Sequence, residues 1–289
     1  MDVGIGLPST IPGIRGRLVL DWARSAEEAG FSTLGTLDRI VYGNLEPIST
    51  LAAAAAVTGR IGLTTAIMIG PYRGNGALLA KQLATVDRLS EGRLTVGIAV
   101  GSRPDDFEAT ASPYEKRGKV FDAQLAEMRA VWAGESRGYA GAIGPAPMRP
   151  GGPPLLIGGG SPAAFRRMTE YGAGWILGAG GPDAFTAAAD KARGAWREAG
   201  REGEPRLVAI GYVSLGDEAE QHARSYLGDY YSFAGAYVDR VVGSALITRQ
   251  AVADTVAGFT AAGCDELILF PANPDLQQIE LIAASAGLS

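Results

Sequence analysis

An unbroken apolar and β-branched run, residues 61–69, and a second strand-like run, residues 93–100, stand on either side of one amphipathic stretch, and this arrangement restricts the chain to few folds. A strand that is apolar and β-branched throughout, rather than at alternate positions, is covered on both faces, the condition of a parallel strand. Between the runs Leu79, Leu83 and Val86, with Leu78 and Leu89 nearby, recur at helical spacing behind Asn75, a residue type that favours helix starts. Gly92 then ends the helix. The three segments make a βαβ unit, and its right-handed crossover points both strands' carboxyl ends the same way. Gly70-Pro71-Tyr72-Arg73-Gly74 and Gly101-Ser102-Arg103-Pro104 follow those ends and are expected to emerge side by side on the face that carries the chemistry.

The alternation runs through the whole chain. Residues 3–7 read as a strand, and Leu18, Trp22, Ala26 and Ala29 as a helix that Gly30 terminates. Residues 33–37 are a second strand ending at Asp38 and Arg39, and residues 47–57 an alanine-rich second helix. The polar segment 105–118 is expected to be a solvated lid at the carboxyl face, before Val120, Phe121, Leu125, Met128 and Val131 resume helical spacing. The glycine- and proline-rich stretch 134–154 leads from helix to strand, so it reads as a connector at the opposite face. Residues 155–157 form the fifth strand. Behind it, Gly158, Gly159 and Gly160 precede Ser161, suited to an N-cap, and Pro162, suited to the first helical position. Free N–H groups at such a helix start attract an anion. Residues 175–177 are a sixth strand, and residues 178–183 repeat the glycine-then-proline pattern. Residues 207–215 give a seventh strand and 267–270 an eighth. The region 218–262 reads as helical, with Asp217 and Glu220 as a capping pair, and residues 277–286 are a final helix. Eight βα units predict an α/β fold, an eight-stranded parallel (β/α)8 barrel formed as one domain over residues 1–289, since such barrels run to ~250 residues without dividing.

Composition narrows the function. A formal charge of −5 opposes broad nucleic-acid binding, which needs a basic face to displace phosphate counterions. No apolar run reaches the ~18 residues of a membrane span, and no basic and hydrophobic leader precedes residue 3, so a cytoplasmic protein is expected. The single cysteine, Cys264, excludes an internal disulfide and reads as structural. The single histidine, His222, excludes a multi-histidine metal site and reads as solvated within a polar helix, and no metal is expected.

Several stretches resemble the luciferase-like flavin oxidoreductases, parallel α/β barrels that use FMN or the deazaflavin coenzyme F420. They are AEEAGF at residues 26–31, KQLATVDRLSEGR at residues 81–93, Arg117-Gly118, and residues 157–162 with Gly174-Trp175. The 81–93 stretch is the most specific. The resemblance implies a cofactor site formed by Ala66 and Ile67, joined by a non-prolyl cis peptide, by Val100 and Gly101 along the ring system, and by Gly158, Gly159, Gly160 and Ser161 at the phosphate-bearing tail. It also implies that Asp38 and Arg39 border the reactive ring as catalytic candidates. The family commonly has an Asp-His pair there; an arginine cannot pass a proton near neutral pH, so Arg39 becomes an anion-binding candidate.

Tyr72, Arg73 and Arg103 are the substrate-binding candidates, because strand ends gather them at one face. Taken singly, each arginine is as readily a solvated surface residue. Asp105, Asp106 and Glu108 read as solvated, and the aromatic interval Tyr226, Tyr230, Tyr231, Phe233 and Tyr237 as core packing. Asp87, Arg88 and Arg93 read as structural. The activity expected is hydride transfer from a reduced flavin or deazaflavin to a small organic substrate. Oxygen insertion by reduced FMN and non-catalytic flavin binding are the alternatives. A homodimer is expected, with the uncharged second helix near the interface.

Overall fold

A computed structural model describes residues 1–178 and 180–288. Its strands are β1 (Asp2–Gly6), β2 (Thr33–Thr36), β3 (Gly62–Ile69), β4 (Leu94–Ala99), β5 (Leu155–Gly158), β6 (Gly174–Leu177), β7 (Arg206–Val213) and β8 (Glu266–Pro271). They are parallel and in sequence order, and β8 closes on β1 through Asp2↔Glu266 to Ile5↔Leu269, so the expected barrel is the observed one. The helices on the first half are α1 (Gly16–Glu28), α2 (Pro47–Ala55), α3 (Gly76–Leu89), α4 (Pro104–Ala109) and α5 (Arg117–Trp132). Those on the second are α6 (Pro162–Tyr171), α7 (Pro182–Glu198), α8 (Ala219–Tyr230), α9 (Tyr237–Gly243), α10 (Arg249–Ala261) and α11 (Gln277–Ala286).

Side chains fill the barrel and its outer layer separately. Leu156, Ile176, Val208, Ile210, Ile268 and Phe270 pack together inside. Phe270 dictates part of the sequence around it: a Cβ on Gly6 would stand 2.2 Å from its ring, and one on Gly35 would stand 2.8 Å away. Between strands and helices, Trp22, Leu51, Leu83, Leu125, Met128 and Trp175 form the larger core. Each such side chain contributes roughly 1.5–3 kcal/mol by leaving water. Caps fix where helices begin. Asn75 accepts from the N–H groups of Ala77 and Leu78, and Ser161 from that of Ala164, with Pro162 in the first turn as expected.

The KQLATVDRLSEGR stretch is a brace at the amino-terminal face. Asp87 accepts from the Met148 N–H (2.7 Å), and Arg88 donates to Ala146 O. Arg93 donates to the carbonyls of Ala55, Thr58 and Ile61. Cys264 is buried beside the carbonyls of Leu207 and Glu266, and burial pushes its thiol up to about 12. His222 is half-buried on α8, its Nε2 3.7 Å from the Glu218 carboxylate.

Several expectations fail. Residues 105–118 are not an open loop: Pro104 starts α4, and a 3-10 turn, Tyr114–Lys116, leads into α5. Phe107 makes this possible, since it is buried in edge contacts with Tyr72 and Tyr114, and a helix brings it there. The region 218–262 is three helices, broken by a 3-10 turn at Ser232–Ala234, by Gly235 at φ 55, and again where Leu246 bridges to Val213. Glu218 precedes α8 with no side-chain cap, so Asp217 and Glu220 are not a capping pair. Leu78 and Leu89 lie on the exposed side of α3. Ala179, within the second glycine-then-proline stretch, lies outside the described residues.

Candidate active site

A cavity of ≈ 370 Å³ opens at the carboxyl ends of the strands. It gathers Asp38, Arg39, Ala66, Ile67, Tyr72, Val100, Gly101, Arg103, Gly158 and Gly159 from the candidates named above.

Small and aliphatic residues line it from β3 to β6. The register between β3 and β4 shifts between Thr65 and Met68, and the Ala66–Ile67 peptide there is cis. Ile67 lies beside two glycines: a Cβ on Gly158 would sit 3.0 Å from its Cδ1, and one on Gly178 would sit 3.5 Å from it. Gly101 has φ 77, and a Cβ on it would stand 2.5 Å from Ile69 Cγ2, so no side chain fits there. With Ala66 and Ala99, these positions leave a smooth wall. Beyond it, the Trp175 indole N–H holds the Gly159 carbonyl at 2.8 Å, and Gly160 and Ser161 continue outward, exposed and outside the cavity lining, to the start of α6.

Charged and aromatic residues line the remainder. The Asp38 carboxylate has no exposed surface and accepts from Ile69 N (2.9 Å) and Arg73 Nη2 (2.9 Å), joining the ends of β2 and β3. Burial pushes this carboxyl above the usual carboxylate range, against the pull of Arg73. Arg73 also donates to Glu46 (2.8 Å). Burial works to lower its pKa, and Asp38 and Glu46 outweigh it, so the guanidinium sits above its ordinary value. Arg73 is thus a correction to the expected substrate contacts: two carboxylates occupy it, and it does not line the cavity. Tyr72 does line it, with its hydroxyl buried and lacking a hydrogen-bond partner. Burial, then the nearby Asp38 charge, lifts that phenol far above its ordinary value.

Arg39 is 7% exposed. Its Nη1 donates to Tyr230 O (2.5 Å) and its Nη2 to Val41 O (3.0 Å), while Nε has no partner. Tyr42, Tyr230 and Phe233 surround the guanidinium carbon at 4.4, 5.0 and 5.5 Å. Burial and then the charge of Arg103 lower its pKa, yet from so high a starting value that it stays a cation. Arg103 pairs with Asp105, lies 3.3 Å from Asp106 through Nε, and stacks 3.8 Å from the Phe233 ring centroid. Asp106, expected in solvent, is 1% exposed and accepts from Ile40 N and Val41 N, pinning the loop that carries Arg39. Tyr230, Tyr231 and Phe233, read as core packing, line the cavity. Helical spacing could not reveal this, because the break at residues 232–236 turns them over the barrel mouth. Among the described residues no group of three or more His, Cys, Asp or Glu could hold a metal ion, and no helix is long and apolar enough to cross a membrane.

An eight-stranded parallel barrel with this loop arrangement defines a class, and the sequence profile described as luciferase-like monooxygenase matches residues 1–269. The chain belongs to that family. It is 32% identical over 187 residues to an uncharacterized protein of Mycobacterium tuberculosis (strain ATCC 25618 / H37Rv), covering 62% of this chain and 66% of that one. It is 28% identical over 198 residues to the FMNH(2)-dependent dimethylsulfone monooxygenase of Pseudomonas fluorescens (strain Pf0-1), covering 58% and 53%. It is 27% identical over 215 residues to the 5,10-methylenetetrahydromethanopterin reductase of Methanolobus tindarius, covering 73% and 63%. The chain therefore spans about two thirds or less of the length of the curated relatives it matches. Among solved structures, an F420-dependent secondary alcohol dehydrogenase in complex with an F420-acetone adduct shares the fold, with TM-score 0.80, 17% identity, and coverage of 100% and 98%.

Proposed function

We propose that this protein is an oxidoreductase that uses a reduced flavin or deazaflavin, FMN or coenzyme F420, to deliver a hydride to a small organic substrate. The observation that carries the reading is the smooth wall of Ala66, Ile67, Ala99, Gly101 and Gly158, continuous with the glycine loop and the ten-residue helix α6. A flat ring system fits a wall built of glycines, alanines and the one aliphatic side chain of Ile67. Its anionic tail fits the exposed glycine loop ahead of α6, where backbone can approach closely; at the helix start itself Pro162 brings no N–H and Ser161 already takes that of Ala164. A Cβ on Gly160 would meet nothing within 4 Å, so the loop is open to a bulky group. The relatives support both cofactors, one being named FMNH(2)-dependent and one structural neighbour F420-dependent.

When bound, such a group supplies the hydride. The chain's own residues bind and orient. Gly158, Gly159, Gly160 and Ser161 hold the tail; Ala66, Ile67, Val100 and Gly101 support the ring. Asp38 fixes the ends of β2 and β3 and thereby the position of Arg39. Arg39 binds and polarises the substrate without releasing a proton. Tyr231 and Phe233 line the cavity and give the side of Arg39 an apolar wall. Asp38 and Asp106 are held in ion pairs, so the proton that must accompany hydride addition to a carbonyl or alkene comes from solvent or from the Tyr72 hydroxyl, which lines the cavity without a hydrogen-bond partner.

The test is anaerobic. Protein loaded with reduced FMN or reduced F420 should be reoxidised by one of a panel of small carbonyl and alkene acceptors without oxygen. Reoxidation coupled to product formation only when oxygen is admitted would instead establish the monooxygenase reading that the family and the dimethylsulfone monooxygenase relative favour.

A further inference from the structure

Three arginines stand at or beside the cavity, and their charges are met unequally. Arg73 is matched by Asp38 and Glu46, and Arg103 by Asp105 and Asp106. Arg39 has no carboxylate within 4 Å among the described residues, although it is more than nine-tenths buried. Its two hydrogen-bond partners are neutral carbonyls, and its neighbours are the rings of Tyr42, Tyr230 and Phe233. Carbonyl dipoles and ring faces orient a cation but cancel no net charge, and a guanidinium with five N–H groups and two acceptors keeps three unspent. A buried charge of this kind is strongly unfavourable unless something completes it.

Arg103 adds a spare donor. Its Nη1 lacks a hydrogen-bond acceptor, its Nε faces the Asp106 carboxylate at 3.3 Å, and both guanidinium carbons lie within 5.5 Å of the Phe233 ring centroid. Two guanidinium groups lining one cavity with spare donors form a place for an anion. The charge it takes is limited. Four carboxylates stand around the three arginines, but Glu46 and Asp105 are 43% and 41% exposed and screened by water, so buried Asp38 and Asp106 leave one positive charge over, and a dianion would exceed it. A monoanion matches the single unpaired cation. The planar fork of Arg39 fits a carboxylate, and a cavity of ≈ 370 Å³ shared with a cofactor ring leaves room only for a small apolar body between aromatic walls.

Resting on the reading of this cavity as the reaction site, we propose that the substrate is a small monocarboxylic acid whose carboxylate is bound by Arg39 with Arg103 as second donor. The carboxylate orients the molecule; it is not the group reduced. Arg39 thus serves as the residue that selects acids over neutral analogues of the same shape.

The test is equilibrium binding by calorimetry at neutral pH. The probes are acetate, butyrate, benzoate and phenylacetate, each paired with its amide, on protein that is free, FMN-loaded or F420-loaded, with inorganic phosphate as the dianion. At least one acid should bind the wild-type protein about ten-fold or more tightly than its amide, the size expected for a hydrogen bond to a charged group, and phosphate more weakly than that acid. Arg39→Gln should abolish the preference, and Arg39→Lys, which keeps the charge without the fork, should retain part of it. If every acid binds within about two-fold of its amide on wild-type protein, the proposal fails without recourse to a variant. An undiminished preference in a folded Arg39→Gln protein also overturns it. The glutamyl tail of F420 has the same chemistry, and an advantage for acids that vanishes on F420 loading but persists with FMN would make that tail the occupant and overturn the substrate assignment. Should neither cofactor bind while acids still prefer Arg39, the cofactor reading fails and the anion site stands.

Discussion

Replacing Asp38 with Ala should destabilise the protein by about 3 kcal/mol, the lower end of the range for breaking a buried ion pair. The structure supplies the reasons for the size. Asp38 has no exposed side-chain surface, so its loss strands the Ile69 N–H and removes one partner of Arg73. Arg73 is also largely enclosed, but it keeps Glu46 at 2.8 Å, which holds the cost below the upper end. For a chain of 289 residues this corresponds to a fall in Tm of roughly 6–12 °C. Denaturant unfolding of wild type, Asp38→Ala, Arg73→Ala and the double variant, at constant m-value, gives the coupling between the two residues. It should exceed about 1 kcal/mol, because after the first removal the second group has already lost its partner. Additive single effects, or a cost for Asp38→Ala under about 1 kcal/mol, would refute Asp38 as the tie between β2 and β3.

Removing the cation alone should make stability pH-dependent. In Arg73→Ala the buried Asp38 has only the Ile69 N–H to favour its charge, so its folded pKa lies further above the unfolded one. Its contribution is then complete below the unfolded pKa and lost as pH rises through the folded one; relative to wild type, Arg73→Ala should lose stability as pH rises above the unfolded Asp value of about 3.9, and a flat difference would contradict this. The Cys264 thiol, pushed up to about 12 by burial, should resist iodoacetamide in the native protein and react once unfolded; rapid native labelling would sink the structural reading. Ser49, Ala53 and Ala56 form an exposed, uncharged row on α2, and we expect them at or near a homodimer interface. Light scattering at micromolar concentration should give twice the chain mass, and a mass of one chain would rule this out.

The barrel was legible because buried parallel strands repeat one pattern, apolar or β-branched residues on both faces of their central positions, and because Asn75, Gly92, Ser161 and Pro162 punctuate it. Positions that follow a strand directly were legible too: Asp38, Arg39, Tyr72, Gly101, Arg103 and Gly158 reach one cavity because strand ends converge. Side-chain direction was not. Asp106 and Arg73 carry the same charge types as solvated residues, and only the neighbours Ile40, Val41, Asp38 and Glu46, distant in sequence, show that they are internal ties. The aromatic interval was read only in part: Tyr226 and Tyr230 do pack in the core, but Tyr230, Tyr231 and Phe233 also line the cavity. Helical spacing fits all three until α8 stops at Tyr230 and a 3-10 turn follows, which takes Tyr231 and Phe233 off the helix and to the cavity.

The most direct measurement is a titration of the purified protein with FMN and with F420, followed by absorbance or fluorescence, in wild type and in Gly158→Val. The account predicts that at least one cofactor binds wild-type protein in the micromolar range or tighter. Gly158→Val should weaken that binding at least about ten-fold while keeping the fold, because a Cβ there already stands 3.0 Å from Ile67 Cδ1 and 3.1 Å from Ala99 Cβ, and the added methyl groups must enter the wall. If neither cofactor binds wild-type protein, or if folded Gly158→Val binds as tightly as wild type, the cavity wall is not the cofactor site.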